Sequence, residues 1–311
     1  MNLEEESKIC PGCLSSDIQF NYFVSSDGFL SVSGFNHSRC NKCHSVFLNP
    51  RPTKESLVSF YKSTEMEETV EAEIARNSAE RILNEDKKSY FIQNRILPLQ
   101  KFLKPNAKIF DIGCGVGAFV RAMKNEGYSA QGCDLSNVSL SVGKSLLGLV
   151  DSDIFYGDYD SIPEANYDLI TLWTVVEHLL NPEETLSFIK SRLRSGYLLL
   201  EFPTADSLMM ELYGKDYFWV MPPYHINLFT LAGLKNLLSR VGFEILYVHG
   251  MPSNWNFFES IAKSTSMSDK LKEKIKSQCP EFIFEIDRNM DKYAATLGKE
   301  SVKYVICRIR D

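Results

Sequence analysis

The sequence predicts an α/β fold: a doubly wound parallel sheet that follows a small, cysteine-pinned N-terminal module and is interrupted by helices before its last strand. Three observations predict it. From about residue 105 to 250, short apolar runs alternate with segments of helical spacing. Two Cys-x-x-Cys pairs bracket a turn-rich stretch near the N-terminus. A helical pattern from Phe257 to Leu297 gives way to the alternating segment Val302 to Ile309.

Taken in order, residues 1–52 form the cysteine-bearing module, with an alternating strand candidate from Ile18 to Val24. Residues 53–104 read as a charged helical linker or lid, because Val70 and Ile74, then Tyr90, Ile92, Ile96, Leu97 and Leu99, recur at helical intervals. Residues 105–311 form the sheet domain. Its strand candidates are Lys108 to Asp111, Ser129 to Asp134, Ile154 to Gly157, Tyr167 to Leu172 and Gly196 to Glu201. Thr230 to Val241 reads as a helix stopped by Gly242, before a strand from Phe243 to Val248. The terminal segment returns to the sheet, which makes residues 251–299 a helical insertion.

A length of 311 residues suits one α/β domain plus a smaller module. The net charge of −6 argues against nucleic acid as the main partner, since phosphate binding leaves a basic footprint. No apolar run is long enough to span a bilayer. The acidic start, Met1-Asn2-Leu3-Glu4-Glu5-Glu6, is the opposite of a signal peptide's basic region. A cytoplasmic location is therefore expected, where the eight cysteines would not form a disulfide framework.

Cys10-Pro11-Gly12-Cys13 and Cys40-Asn41-Lys42-Cys43 are two knuckles on turn-forming residues. Four thiolates so arranged suit a closed, structural zinc site, Zn2+ supplying folding free energy that a small core lacks. The 26 residues between the knuckles exceed the usual spacing, and a hairpin would fill them. His37 and His44 could replace a thiolate, but Cys10, Cys13, Cys40 and Cys43 already complete the shell.

Asp111-Ile112-Gly113-Cys114-Gly115-Val116-Gly117-Ala118 follows a strand and opens a helix. Its glycines let backbone approach a ligand closely. Gly113, Gly115 and Ala118 also satisfy the dinucleotide fingerprint, with Asp134 near the expected distance downstream, so spacing leaves an NAD-dependent oxidoreductase open. Asp111 favours another cofactor. A pyrophosphate gains nothing from a carboxylate at the strand end, whereas a sulfonium with an ammonium group does.

The loop resembles the first motif of class I S-adenosylmethionine-dependent methyltransferases, Asp/Glu-x-Gly-x-Gly-x-Gly. Later segments continue the resemblance in order, over roughly residues 85–250. Gly132-Cys133-Asp134-Leu135 is similar to the second motif, where an acid receives the ribose hydroxyls. Gly157-Asp158-Tyr159 is similar to the third, which meets the adenine. Tyr167-Asp168-Leu169-Ile170 and Trp173 through Pro182 resemble the fourth. The resemblance implies a Rossmann-like seven-stranded sheet, with S-adenosylmethionine held by Asp111, Gly113, Cys114, Gly115, Asp134, Leu135, Asp158, Tyr159 and Trp173.

Methyl transfer from a sulfonium is an in-line displacement that needs alignment and a base for the acceptor's proton. His178 follows Glu177 in a Glu-His-Leu resembling that of the ubiquinone O-methyltransferases. His225 lies in Pro222-Pro223-Tyr224-His225, after the fifth strand, and is the expected base, with His178 as its rival. The layout resembles bacterial sugar methyltransferases, including nucleotide-sugar C-methyltransferases, in which a Tyr and a His of this loop assist proton removal; Tyr224 and His225 stand there. The Glu-x-Tyr-His form of the C-methyltransferases is absent, and 311 residues leave no room for their further C-terminal domain. Oxygen or nitrogen acceptors therefore stay open beside carbon.

The leading expectation is an enzyme acting on a small molecule, a sugar or nucleotide-linked sugar. Tyr61 and Tyr90 of the linker could close over it. Besides the NAD enzyme, a second alternative is an RNA or protein methyltransferase whose ribbon docks the partner through Arg39, Lys42 and Arg51.

Overall fold

Strand side chains alternate between faces, and in the segments after residue 105 both faces are apolar, which calls for cover on both sides. The computed structural model describes residues 1–27, 31–63, 68–83, 91–251 and 256–310. Tyr90 lies outside the described residues.

Three short strands come first: β1 (Ile18–Val24), β2 (Asn36–Cys40) and β3 (Val46–Leu48). Helices α1 (Lys54–Ser63), which carries Tyr61, and α2 (Glu68–Leu83) follow. A π-helical turn over Ile92–Ile96 then runs into α3 (Leu97–Gln100). The main domain continues β4 (Lys108–Ile112), α4 (Ala118–Asn125), β5 (Ser129–Asp134), α5 (Asn137–Leu147), β6 (Ile154–Tyr156), β7 (Tyr167–Trp173), α6 (Pro182–Arg192) and β8 (Leu193–Pro203). It ends α7 (Leu208–Tyr213), β9 (Asn227–Leu228), α8 (Leu231–Val241), β10 (Phe243–Met251), α9 (Asn256–Ser264), α10 (Asp269–Gln278), α11 (Pro280–Thr296) and β11 (Val302–Ile309).

The main sheet has seven strands in the order β10-β11-β8-β7-β4-β5-β6. Strands β4 to β8 pair in parallel, while β11 enters antiparallel between β8 and β10. The terminal segment thus returns to the sheet, and α9 to α11 form the insertion before it. Alternation builds the core twice over. Ile109, Leu169, Leu199 and Ile306 face one layer with α4, α5 and α2. Phe110, Ile170, Leu198 and Val305 face the other, with α6 and α8. Each such fully buried side chain stabilises the fold by about 1.5–3 kcal/mol.

The ribbon strands do not stand apart. Their sheet runs β1-β2-β3-β9, and β9 belongs to the loop that follows β8. Val46 pairs with Leu228, and Phe47 with Asn227. Side chains tighten the joint. Arg51 donates to the Leu180 carbonyl (2.6 Å) and to Asn227 Oδ1 (2.8 Å). Arg240 on α8 donates to the carbonyls of Gly12 (2.5 Å) and Pro11 (3.1 Å). A Cβ on Gly12 would come within 3.1 Å of the Gly233 backbone, so the first knuckle and the first turn of α8 touch through bare main chain. Sequence reading placed β8 three residues too late and did not find β9, whose two residues are strand only because the ribbon pairs with them.

Thr230 joins these parts. Its hydroxyl accepts from Gly233 N (3.0 Å) as the cap of α8 and donates to the Cys43 carbonyl (2.6 Å). Thr230→Ala should lower stability by about 1–2 kcal/mol, read as a lower urea midpoint; an unchanged midpoint would contradict this joint.

Candidate active site

The glycine loop turns sharply off β4 because its backbone takes φ values closed to most residues. Gly113 has φ +69°, and a Cβ there would lie 2.6 Å from Val175 Cγ2. Gly132 is equally constrained: its Cβ would lie 2.8 Å from both the Asp111 carbonyl and Cys114 Cβ. Asp134 at the end of β5 ties the loop down, accepting from Gly115 N (2.7 Å) and Ser136 N (2.8 Å). Leu135 beside it is exposed, Cys114 is buried, and Asp158 is an exposed acid at the end of β6 that accepts from Tyr159 N (2.7 Å). These positions gather at the C-terminal ends of adjacent parallel strands, where ligands of such sheets bind.

Tyr159 and Trp173 each have aromatic neighbours. The Tyr159 ring packs edge-on against Phe188 (5.6 Å). Trp173 is buried between Phe119 (5.2 Å) and Tyr304 (6.1 Å), with the Arg95 guanidinium 4.7 Å from its ring centre.

Below the loop lies a group of enclosed charges. Asp111 is 2% exposed and accepts from Thr171 Oγ1 (2.6 Å). Burial pushes its carboxyl up to about 7, against the pull of Thr171 and Arg95. Arg95 forms an ion pair with Glu201, which is 1% exposed. Burial raises Glu201 as well, with Arg95 opposing. Neither Arg95 nor Glu201 stood out in the sequence. The available signal was a lone acid closing the apolar run Leu198-Leu199-Leu200-Glu201.

The turn after β7 brings in three more groups. Thr174 takes φ 54°, rare for a β-branched residue, and its N–H donates to the Glu201 carbonyl (3.0 Å). Glu177 then falls inward, fully buried, and neither carboxylate oxygen has a hydrogen-bond partner. Burial raises it well above the ordinary range, its own backbone N–H opposing and Glu201 adding to the rise. His178 and His225 meet edge-on with ring centres 4.7 Å apart. His178 Nδ1 donates to the Tyr224 carbonyl (2.8 Å), and His225 Nδ1 to the Trp219 carbonyl (2.8 Å). A carbonyl only accepts, so each Nδ1 carries the proton of a neutral ring. Burial lowers both rings. His225 is held well below normal, its neighbour His178 adding to the effect, while the carbonyls of Tyr224 and Thr174 partly offset it at His178. Trp219 stacks on His225 at 5.6 Å, and the Tyr224 ring turns away to Phe60 (5.3 Å). Tyr224 thus contributes its carbonyl here.

The four ribbon thiols form a second cluster. Cys10 Sγ lies 3.6 Å from Cys43 Sγ, and Cys13 Sγ 3.5 Å from Cys40 Sγ. All four sulfurs fall within 4.8 Å of one another. Tetrahedral thiolates on one zinc ion at about 2.3 Å would sit about 3.8 Å apart, so the donor set fits such an ion. His37 and His44 are outside this cluster; His37 is buried against Phe23 (4.6 Å) and meets the Phe35 carbonyl.

Asp111 carries a measurable consequence. A carboxyl whose folded value is raised binds its proton more tightly in the native state, so it lowers stability as pH rises from about 4 to 7. Asp111→Asn should remove that loss: its stability advantage in urea titrations should grow across this window and level off above it. A constant difference would contradict the buried carboxyl.

Residues 83–248 match the family model described as "Methyltransferase domain". A "Probable fatty acid methyltransferase" of Mycobacterium tuberculosis is 32% identical over 104 residues, covering 32% of this chain and 24% of that protein. The "Ubiquinone biosynthesis O-methyltransferase" of Azoarcus sp. is 26% identical over 160 residues, covering 47% of this chain and 68% of the relative. Among solved structures, the phosphoethanolamine N-methyltransferase 2 of Haemonchus contortus with S-adenosyl-L-methionine aligns with TM-score 0.51 at 18% identity, over 86% of this chain and 63% of that one. The [4+2]-cyclase SpnF aligns with TM-score 0.51 at 15% identity, over 84% and 97%. These two likenesses concern the fold alone. The family match resolves the ambiguous glycine loop in favour of the sulfonium cofactor over the dinucleotide: the chain belongs to the class I S-adenosylmethionine-dependent methyltransferases.

Proposed function

We propose that the chain transfers the methyl group of S-adenosylmethionine to a small molecule, a sugar or nucleotide-linked sugar, at an oxygen or nitrogen. The observation that carries this is the enclosed His178–His225 pair beside a glycine loop with a buried carboxylate. Asp111, Gly113, Cys114, Gly115, Asp134, Leu135 and Asp158 would hold the cofactor, whose sulfonium supplies an electrophilic methyl group. Asp111 offers the cationic part a negative charge in a poorly solvated place, where such attraction is strong. His225 activates the acceptor, as general base when its free ring nitrogen is open. Tyr224 helps by fixing His178 through its carbonyl. Carbon methylation is less favoured, since the Tyr224 ring is directed to Phe60. The names of the matched relatives, a fatty acid methyltransferase and a ubiquinone biosynthesis O-methyltransferase, agree with small-molecule chemistry in general.

The ribbon is read as a structural Zn2+ module held by Cys10, Cys13, Cys40 and Cys43, serving the enzyme itself. Arg51, one of three basic residues that could have met RNA, spends its guanidinium on Leu180 and Asn227. No described helix is long and apolar enough to cross a membrane.

His225→Gln should lower kcat by about 10²-fold or more, the usual worth of an acid–base group, while cofactor affinity stays within twofold in calorimetry. Unchanged turnover would pass the role to His178. Chelation should release one zinc per chain by elemental analysis, lower the melting temperature and reduce turnover, because β3 pairs with β9 two residues from His225. A metal-free chain with an unaltered melt would contradict the zinc site.

A further inference from the structure

His225 owes both its tautomer and its ring plane to one residue. Trp219 accepts the His225 Nδ1 proton on its carbonyl (2.8 Å) and stacks on the imidazole at 5.6 Å and 13°. Residues 217–226, which include Trp219, form neither helix nor strand, so no regular hydrogen bonding fixes this backbone. The helical insertion does so instead. Ser260 Oγ on α9 accepts from Phe218 N (3.0 Å), and Lys263 Nζ donates to the Val220 carbonyl (2.8 Å). The two side chains stand three positions apart, hence on one face of the helix, and grip the residues on either side of Trp219. Ser260 is fully buried, and Lys263 also donates to Ser31 Oγ of the loop between β1 and β2 (3.3 Å). Helix α9 is anchored in turn, its Phe257 N donating to Asp287 Oδ1 on α11 (2.7 Å).

We infer that Ser260 and Lys263 of the helical insertion are positioning residues for His225, acting through Trp219 to hold the imidazole where it meets the acceptor. The inference deepens the preceding reading and rests on it for the role of His225. Ser260 fixes the chain just before Trp219 and Lys263 just after it, so the carbonyl and the ring that face His225 are set together. Burial pulls the Lys263 ammonium down to about 8, with Asp216 opposing. Its bonds to Val220 and Ser31 offset part of that cost. A displacement of about 1 Å in an irregular segment such as this can lower turnover by about 10²-fold, because the base must lie within hydrogen-bond reach of the proton it takes. The insertion before the last strand thereby serves the histidine, although it lies far beyond it in the chain.

The test uses the full chain labelled with nitrogen-15 histidine and reads the Nδ1–H resonance of His225, assigned by its loss in His225→Gln. Lys263→Met keeps the apolar stem and removes the donors; Ser260→Ala removes one buried acceptor. In both variants the His225 Nδ1 proton should exchange with water about tenfold faster or more, as its bond to Trp219 opens more often. Turnover, read as kcat, should fall by about tenfold or more, with cofactor affinity unchanged, and Lys263→Arg should restore most of it. If Lys263→Met does not fold, Ser260→Ala carries the test. Unaltered exchange in the folded variants overturns the inference, and so does a lower melting temperature with the His225 signal and kcat unmoved, the mark of a merely structural tether. Failure here is separable from failure of the preceding reading. Faster exchange in a chain whose turnover ignores His225→Gln upholds the tether and overturns the base. Unaltered exchange in a chain that needs His225 upholds the base and overturns the tether.

Discussion

Carboxyl groups are enclosed at the C-terminal end of this sheet, and the site takes its character from that constraint. Asp111, Glu177 and Glu201 are each at most 2% exposed, and among the described residues Arg95 forms an ion pair with Glu201. Removing a carboxylate from water costs several kcal/mol unless charge or donors compensate. Thr171 and Arg95 compensate Asp111 in part, and Glu177 has only its own backbone N–H to oppose burial. Part of the stability that strand and helix packing supply is thereby spent, and whatever brings positive charge recovers it. A sulfonium cofactor at Asp111, as proposed, would answer that electrostatic demand.

The second constraint is mechanical. His225 sits in the loop between β8 and α8, and such loops are mobile unless something pairs with them. Here the ribbon does. β3 adds β9 to its own sheet, Leu48 N donates to the Ile226 carbonyl (2.9 Å), and Arg51 and Thr230 fasten the two ends. The thiol cluster therefore lies at the start of α8 and next to the chain segment that carries the histidine. The four-cysteine module thus also holds in place the loop that carries His225.

What was legible in the sequence was what repeats locally. Strands such as Lys108–Ile112 and Val302–Ile309 announce themselves by apolar runs and alternation, and the four cysteines by spacing. The glycine loop was legible as a ligand loop, with Asp111 tilting the cofactor. What was illegible depended on distance or on direction. The pairing of Val46 with Leu228 joins residues far apart in the chain, and no local pattern marks it. The position of Trp173 on its strand was legible, whereas its packing against Phe119 and Tyr304 was not. Glu177 was visible as the neighbour of His178, but its complete burial is a three-dimensional fact.

The account stands on a cationic sulfur cofactor meeting buried Asp111. Isothermal titration of the chain with S-adenosylmethionine, S-adenosylhomocysteine and NAD tests it most directly. Both sulfur nucleotides should bind, the sulfonium form losing more affinity than the neutral thioether when Asp111 becomes Asn, and NAD should give no heat. Binding of NAD with no response to either sulfur nucleotide would contradict it.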